Sequence, residues 1–426
     1  MDVTKDSAPG FWKKRYTLVL MCFAAMVISY LDRVNISIAA ISMQEEFGWN
    51  EEQKGWVFSS FFAGYLGMQI VGGYLSNRFG GKLVLGTAVI FWSLFTILTP
   101  FGAMISLPAL LLMRFSLGLG EAALAPSGFT LFSRWIPEAE RSRTIALFSS
   151  GAILGTVLAL VFTGRIIAVY GWESVFYIFG SLGFIWAVFW VWLVHDDPED
   201  HPKISSQELA KIEAGESFKD RPKKIPWLSF FSKPQLWALF ITYFATSWCL
   251  YVFLSWLPSY FTKAHNLDVT GAGLYSLLPW ITMFVMIIAA GWFADFLIGR
   301  KVALGTVRKL MQSIGLFVPA AMMLLMRDVG SPGHAMILMC AALGCLAFAY
   351  SGSAPNVLDL APRYSDILYG VANTFGTLAG FLSGIAAGAI IQRTGSYDAV
   401  FLVTAIIQIV GGLAFLFFGS AKRILD

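Results

Sequence analysis

Charge is scarce in this sequence. Lys and Arg number 30 and Asp and Glu 26 among 426 residues, 13% together, about half the share of a typical soluble domain. So few charges leave too little polar surface to clothe a water-facing fold. The 57% of residues that are hydrophobic exclude disorder as well. A net charge of +4 gives no footing for a nucleic-acid partner, and none is expected. Cysteine is equally sparse. Cys22, Cys249, Cys340 and Cys345 all fall inside apolar runs without metal-ligand spacing, which excludes a disulfide framework and leaves small core residues. Of the four histidines, His195, His201, His265 and His334, none falls well inside an apolar run. There is no His-Glu-x-x-His, no cysteine–histidine pair and no Gly-x-Ser-x-Gly turn, so an enzyme lacks its parts. No metal or cofactor is expected.

What is abundant is long apolar sequence, with a mean hydropathy of +0.68. Twelve stretches stand out, at about 15–42, 53–77, 82–102, 107–133, 142–168, 172–194, 234–262, 271–297, 306–326, 334–361, 366–392 and 397–420. Each is near or above the roughly 20 residues a helix needs to cross about 30 Å of hydrocarbon. Strands of a barrel are short and alternate in polarity, whereas these runs are continuous. The fold class predicted is an all-α integral membrane protein of twelve transmembrane helices. Lys13, Lys14 and Arg15 lead into a run too long for a signal-peptide core and without a small-residue cleavage site, so the first span is expected to stay as an anchor. With the N-terminus inside, 23 of the 30 Lys and Arg fall on the inner side and five outside, which puts both termini in the cytoplasm. The short 43–52 loop and the burial of Asn35-Ile36-Ser37 within the first span favour a bacterial plasma membrane.

One polar stretch divides the chain. Residues 195–233 open with His195-Asp196-Asp197-Pro198 and run through Arg221-Pro222-Lys223-Lys224, a cytoplasmic linker between bundles at 1–194 and 234–426. Within it Ser205-Ser206-Gln207-Glu208 suits the start of a short surface helix by capping, or a plain solvated linker. The halves resemble each other. Gly73-Tyr74-Leu75-Ser76-Asn77-Arg78-Phe79-Gly80-Gly81-Lys82 parallels Gly291-Trp292-Phe293-Ala294-Asp295 with Gly299-Arg300-Lys301. Gly151, Gly155, Pro137 and Val175-Phe176 recur at one constant offset as Gly376, Gly380, Pro362 and Val400-Phe401.

Four charges interrupt the spans. Asp32 and Arg33 lie in the first, and Arg114 and Glu121, two turns apart on one face, in the fourth. Such charges cost a few kcal/mol each and generally face a cavity or a partner. One reading is a structural ion-pair network. The other is a transport site in which Arg33 clamps a carboxylate with its planar fork, Tyr30 beside it on the same face. A small organic anion is then the substrate. Coupling requires a group whose charge changes, and with no histidine in the spans Asp32 and Glu121 are the candidates. Arg114 is expected as the partner of Asp32. Tyr65 and Gln69, spaced i, i+4, suit either substrate or helix contacts. Asp359 suits a third functional acid or a brace before the eleventh span. A channel or sensor has no need of paired acids in matched halves.

The Gly73–Lys82 stretch resembles the signature of the major facilitator superfamily, Gly-x-x-x-Asp-Arg-x-Gly-Arg-Lys, with departures at Asn77 and Gly81. Within it the chain is similar to the anion:cation symporters, including bacterial aldonate and hexuronate transporters and the sialin, vesicular glutamate and phosphate carriers. The stretches that carry this are Tyr30-Leu31-Asp32-Arg33-Val34-Asn35, Gln69-Ile70-Val71-Gly72-Gly73, Arg114-Phe115-Ser116-Leu117-Gly118-Leu119-Gly120-Glu121, Leu358-Asp359-Leu360-Ala361-Pro362 and Asn373-Thr374-Phe375. The resemblance implies two pseudo-symmetric six-helix bundles working by alternating access, as a monomer in the bilayer. It places Tyr65 and Asn373 with Arg33 and Tyr30 at the substrate. Gly73, Arg78, Gly80, Lys82, Asp295 and Arg300 form the conformational motif. Relatives driven mainly by membrane potential tend to lack the first-helix acid, so Asp32 favours protons over potential. Sodium coupling stays open, as do aldonate, hexuronate, sialate, acidic amino acids and phosphate as substrates. Thr156 follows Gly155 where exchangers carry a Gly-Pro pattern, which argues against exchange.

Overall fold

The computed structural model describes residues 12–213, 227–327 and 329–424. Among these there is no strand. The helices are α1 (Lys14–Phe47), α2 (Glu51–Phe79), α3 (Gly81–Ile105), α4 (Leu107–Glu121), α5 (Leu124–Trp135), α6 (Glu138–Tyr170), α7 (Glu173–Leu193), α8 (Ser206–Glu213), α9 (Trp227–Ser232), α10 (Pro234–His265), α11 (Val269–Gly299), α12 (Leu304–Leu325), α13 (Pro332–Leu360), α14 (Ser365–Thr394) and α15 (Asp398–Phe418). Eleven spans among the described residues are long and apolar enough to cross a membrane, counting α4 and α5 as one. The twelfth expected span is α2. At 29 residues it has the length, but its charged first turn and its Ser59, Ser60, Gln69 and Ser76 make it less apolar.

The fourth span is not one continuous helix. It breaks at Ala122 and Ala123, between α4 and α5. Pro126 has no N–H to give the carbonyl of Ala122, so the regular ladder cannot pass through this point. The N–H of Ala122 keeps its ordinary bond to Gly118 O at 3.2 Å, whereas that of Ala123 turns to Gly120 O, three residues back, at 3.3 Å. Glu121 therefore ends α4 at an irregular turn.

Two compact units emerge. One holds residues 1–35, 63–159 and 173–220, and the other holds 36–62, 160–172 and 221–426. In the first unit, α3 packs along α4 and α7. Glycine sets the closest approach, because a β-carbon on Gly64 of α2 would overlap the carbonyl oxygen of Phe115 on α4. Gly67, one turn on, would meet only a Leu119 methyl at 3.9 Å. Gly64→Ala is accordingly expected to lower the Tm of the purified protein by several degrees, an overpacking penalty of about 1–3 kcal/mol, with Gly67→Ala within about one degree of wild type. Equal effects of the two would show that α2 and α4 do not meet at Gly64. In the second unit α10 lies along α14, α11 and α12 pack on α13, and α15 packs on α10 and α12.

The linker segment on the first unit is built from caps. Ser205 Oγ accepts from Glu208 N at 3.2 Å, starting α8 as the capping pattern predicted. Glu208 then accepts from Lys14 N and Arg15 N at 3.0 and 3.1 Å, so an acid of the linker caps α1. Arg15 is fully buried between Glu208 and Glu140, while Lys211 reaches Glu140 at 2.6 Å. The hydrogen bond from Arg15 holds the Glu140 carboxyl down at about 2. A carboxylate lowered on folding stabilises above its ordinary range and stops doing so as pH falls toward that value. The clamp is therefore complete at neutral pH. Glu140→Gln is expected to speed amide exchange of residues 206–213 roughly tenfold at pH 7; unchanged exchange would mean α8 is held elsewhere. Arg221-Pro222-Lys223-Lys224 lies outside the described residues.

Candidate functional site

The four intramembrane charges gather where α1 meets α4, all within the first unit. Asp32, Arg114 and Glu121 are at most 1% exposed and Arg33 8%. The guanidinium of Arg33 donates to Glu121 Oε2 from Nη2 at 2.8 Å and from Nε at 3.2 Å, making a buried ion pair. Its flat faces meet aromatic rings, with Tyr30 at 4.6 Å and Tyr65 of α2 at 5.2 Å from centroid to the guanidinium carbon. Tyr30, Arg33, Tyr65 and Glu121 are thus one cluster. A cation over the ring face is attracted to it, and a flat guanidinium suits that stacking.

Asp32 and Arg114, expected as partners, lie within electrostatic reach of each other without a direct side-chain hydrogen bond. Arg114 Nη1 donates to the main-chain carbonyl of Asp32 at 3.5 Å, and the ion pair in this region joins Arg33 to Glu121. Successive side chains on α1 point about 100° apart. Arg33 therefore meets Glu121 of α4, while Asp32, a residue earlier, faces α3 and the charge of Arg114. The Asp32 carboxylate is surrounded by Trp92 and Thr96 of α3 and by the charge of Arg114. Neither of its oxygens has a hydrogen-bond partner of good geometry, nor does Trp92 Nε1.

One residue of the cluster is absent from the sequence reading. Ser29 Oγ donates to Glu121 Oε2 at 2.7 Å. Its signal was available, since Ser29 precedes Arg33 by four residues and so shares its helix face.

Asn373 is half-buried on α14 in the second unit, its carbonyl accepting from Thr377 Oγ1 at 3.0 Å. Of the conformational motif, Gly73 lies on α2 with Pro126 of α5 nearby, and Arg78 donates to the Tyr74 hydroxyl at 3.0 Å. Gly80 has φ +90, a backbone that side chains resist, and a β-carbon there would strike the Asp196 carboxylate. That carboxylate accepts from Lys82 N at 2.9 Å and so caps α3. Asp197 beside it pairs with Arg134 at 3.0 Å. Asp295 and Arg300 are exposed near the end of α11, with Arg300 stacked on Phe296. Asp359 pairs with Arg308 at 2.8 Å, bracing α13 to α12.

In the linker, the His195 and His201 rings meet edge to face with centroids 4.8 Å apart, and burial pushes both below their ordinary values. In the second unit, Glu51 gathers Lys54 and Lys263.

The family profile described as Major Facilitator Superfamily matches residues 22–384. A protein of Oryza sativa subsp. japonica named probable anion transporter 4, chloroplastic, is 42% identical over 426 residues, covering 99% of this chain and 72% of that one. The ascorbate transporter, chloroplastic, of Arabidopsis thaliana is 41% identical over 424 residues, 99% of this chain and 78% of that one. The sodium-dependent phosphate transport protein 1, chloroplastic, of the same plant is 40% identical over 432 residues, 100% and 84%. Among solved structures, the inward-facing, unoccupied bacterial homologue of the human lysosomal transporter Spinster superposes with a TM-score of 0.77 at 17% identity, covering 96% of this chain and 97% of that one. At that identity the likeness speaks for the fold.

Proposed function

Because the chain belongs to the Major Facilitator Superfamily, a family of transporters and not of enzymes, we propose that it is a proton-coupled symporter of a small organic anion. The observation that carries this reading is the Arg33–Glu121 pair. An arginine stacked on two tyrosines is a ready carboxylate clamp, and it is occupied by a carboxylate that a proton can neutralise. While Glu121 is charged, Arg33 is satisfied internally. Once Glu121 takes a proton, the guanidinium is released to hold the substrate anion.

The same exchange supplies the coupling. An anion and a proton then travel together, and the two six-helix bundles at 1–194 and 234–426 rock about the 195–233 linker to release both. Tyr30 and Tyr65 supply donors for the hydroxyls of a sugar acid, an aldonate, hexuronate or sialate. The anionic substrate is supported by relatives named as anion, ascorbate and phosphate transporters. We place the Lys- and Arg-rich face and both termini in the cytoplasm of a bacterial plasma membrane, and the working unit as a monomer. Arg114 holds the turn of α1 at Asp32, which is the second acid available for coupling.

One relative is named for sodium dependence, and Asp32, with two oxygens unmatched by donors, has the oxygen chemistry a small hard cation prefers. That gives a second reading, sodium coupling at Asp32. Counterflow in proteoliposomes decides substrate and cation together. Vesicles preloaded with one of gluconate, glucuronate, sialate, ascorbate or phosphate are expected to accelerate entry of labelled sugar acid only when the internal anion is a sugar acid, equally in sodium and in choline. Acceleration by phosphate alone, or only in sodium, would favour the second reading.

A further inference from the structure

The two oxygens of Glu121 are used unequally. Oε2 accepts from Ser29 Oγ at 2.7 Å and from Arg33 Nη2 and Nε at 2.8 and 3.2 Å, whereas Oε1 is buried with no hydrogen-bond partner. A carboxylate oxygen offers about two lone pairs, so one that already accepts three donors has none to spare for a proton. The bare oxygen does. The geometry points to Ser29 as a positioning residue for proton coupling: its hydroxyl pins Oε2, so Glu121 takes its proton on Oε1 and keeps its place when Arg33 departs.

The inference rests on Glu121 being the coupling acid and adds how that acid is held. Two donors share Oε2 but differ in permanence. The guanidinium leaves when it turns to a substrate anion. The serine, on the same face of α1, does not. After protonation at Oε1, Oε2 is a carbonyl oxygen and still accepts from the serine hydroxyl. One O–H bond forms, no bond within the protein breaks, and the charge of Glu121 goes from −1 to zero. Without Ser29, departure of Arg33 would leave the neutral acid without its anchor. The charged groups facing Glu121 are Arg33 and Asp32 on α1 and Arg114 on α4 itself. The packed helices α3 and α2 bring Trp92 and Tyr65 to the region, both uncharged.

The test is the pH dependence of anion uptake in proteoliposomes, with gluconate as the probe. Ser29→Ala removes a donor that favours the charged acid, so the midpoint is expected about one pH unit higher. Ser29→Thr keeps the hydroxyl and is expected to restore the wild-type midpoint. Should the alanine variant fail to assemble, Ser29→Cys, similar in size and a weaker donor, is expected to shift the midpoint in the same direction by less. A midpoint unchanged in Ser29→Ala or Ser29→Cys, with only the rate lowered, overturns the inference. Glu121→Gln measured alongside separates the levels. If it loses driven uptake while the serine variants keep the wild-type midpoint, the error lies in Ser29 alone; if it retains driven uptake, the coupling role of Glu121 fails and the inference with it.

Discussion

Glu121→Gln is expected to abolish uptake driven by a pH gradient while leaving counterflow exchange intact. Glutamine has the shape of the protonated acid and its neutrality, so the variant resembles the loaded state permanently. Arg33 then has no carboxylate at 2.8 Å to return to and is free for substrate throughout the cycle. Exchange needs only the loaded carrier to cross in both directions, and that step survives. Net coupled movement needs the proton to come and go. In wild type, each coupled proton lets a one-unit gradient sustain about tenfold accumulation, since one pH unit is worth about 1.4 kcal/mol. The variant should reach about onefold by that proton. Accumulation equal to wild type, with normal exchange, would remove Glu121 from the coupling step and move that role to Asp32.

Arg33→Lys and Arg33→Ala are expected to separate recognition from stability. Lysine keeps the positive charge opposite Glu121 but loses the planar fork that donates from both Nε and Nη2 and stacks on Tyr30 and Tyr65. Losing one charge-assisted bond of about 2–3 kcal/mol predicts a fall in uptake of about 30- to 160-fold. Its Tm should stay near wild type because the buried carboxylate keeps a cation. Alanine removes that cation and strands Glu121 in a buried site. Breaking such a pair costs about 3–5 kcal/mol unless the acid takes a proton, so Arg33→Ala is expected to lose both uptake and stability. Uptake by Arg33→Lys close to wild type would show that charge alone suffices and that no bidentate clamp operates.

The spans were readable from sequence because hydrocarbon imposes a single requirement, and length and apolarity report it directly. Where the structure departs, the cause is local. The break at Ala122 was written in Pro126, whose missing N–H acts four residues upstream, but hydropathy is blind to hydrogen bonding. The four buried charges could be located, yet their pairing could not. Periodicity says that Arg114 and Glu121 share a face of α4; it does not say how α1 is turned, and that turn brings Arg33 to Glu121. The spacing of Ser29 from Arg33 is legible but weak, since a serine in a membrane helix more often bonds its own backbone, as Ser76 does to Gly72 O at 2.9 Å. Contacts of the linker, such as Asp196 on the N-terminus of α3 and Glu208 on that of α1, join residues more than a hundred positions apart and leave no spacing to read.

The central claim is that an anion and a proton move together through the Arg33–Glu121 exchange. The most direct test is accumulation of a labelled sugar acid in proteoliposomes carrying an inward pH gradient, with the membrane potential clamped at zero by valinomycin and equal potassium. The account predicts accumulation that rises with the gradient at zero potential. Accumulation that follows an imposed potential and ignores the pH gradient would contradict it.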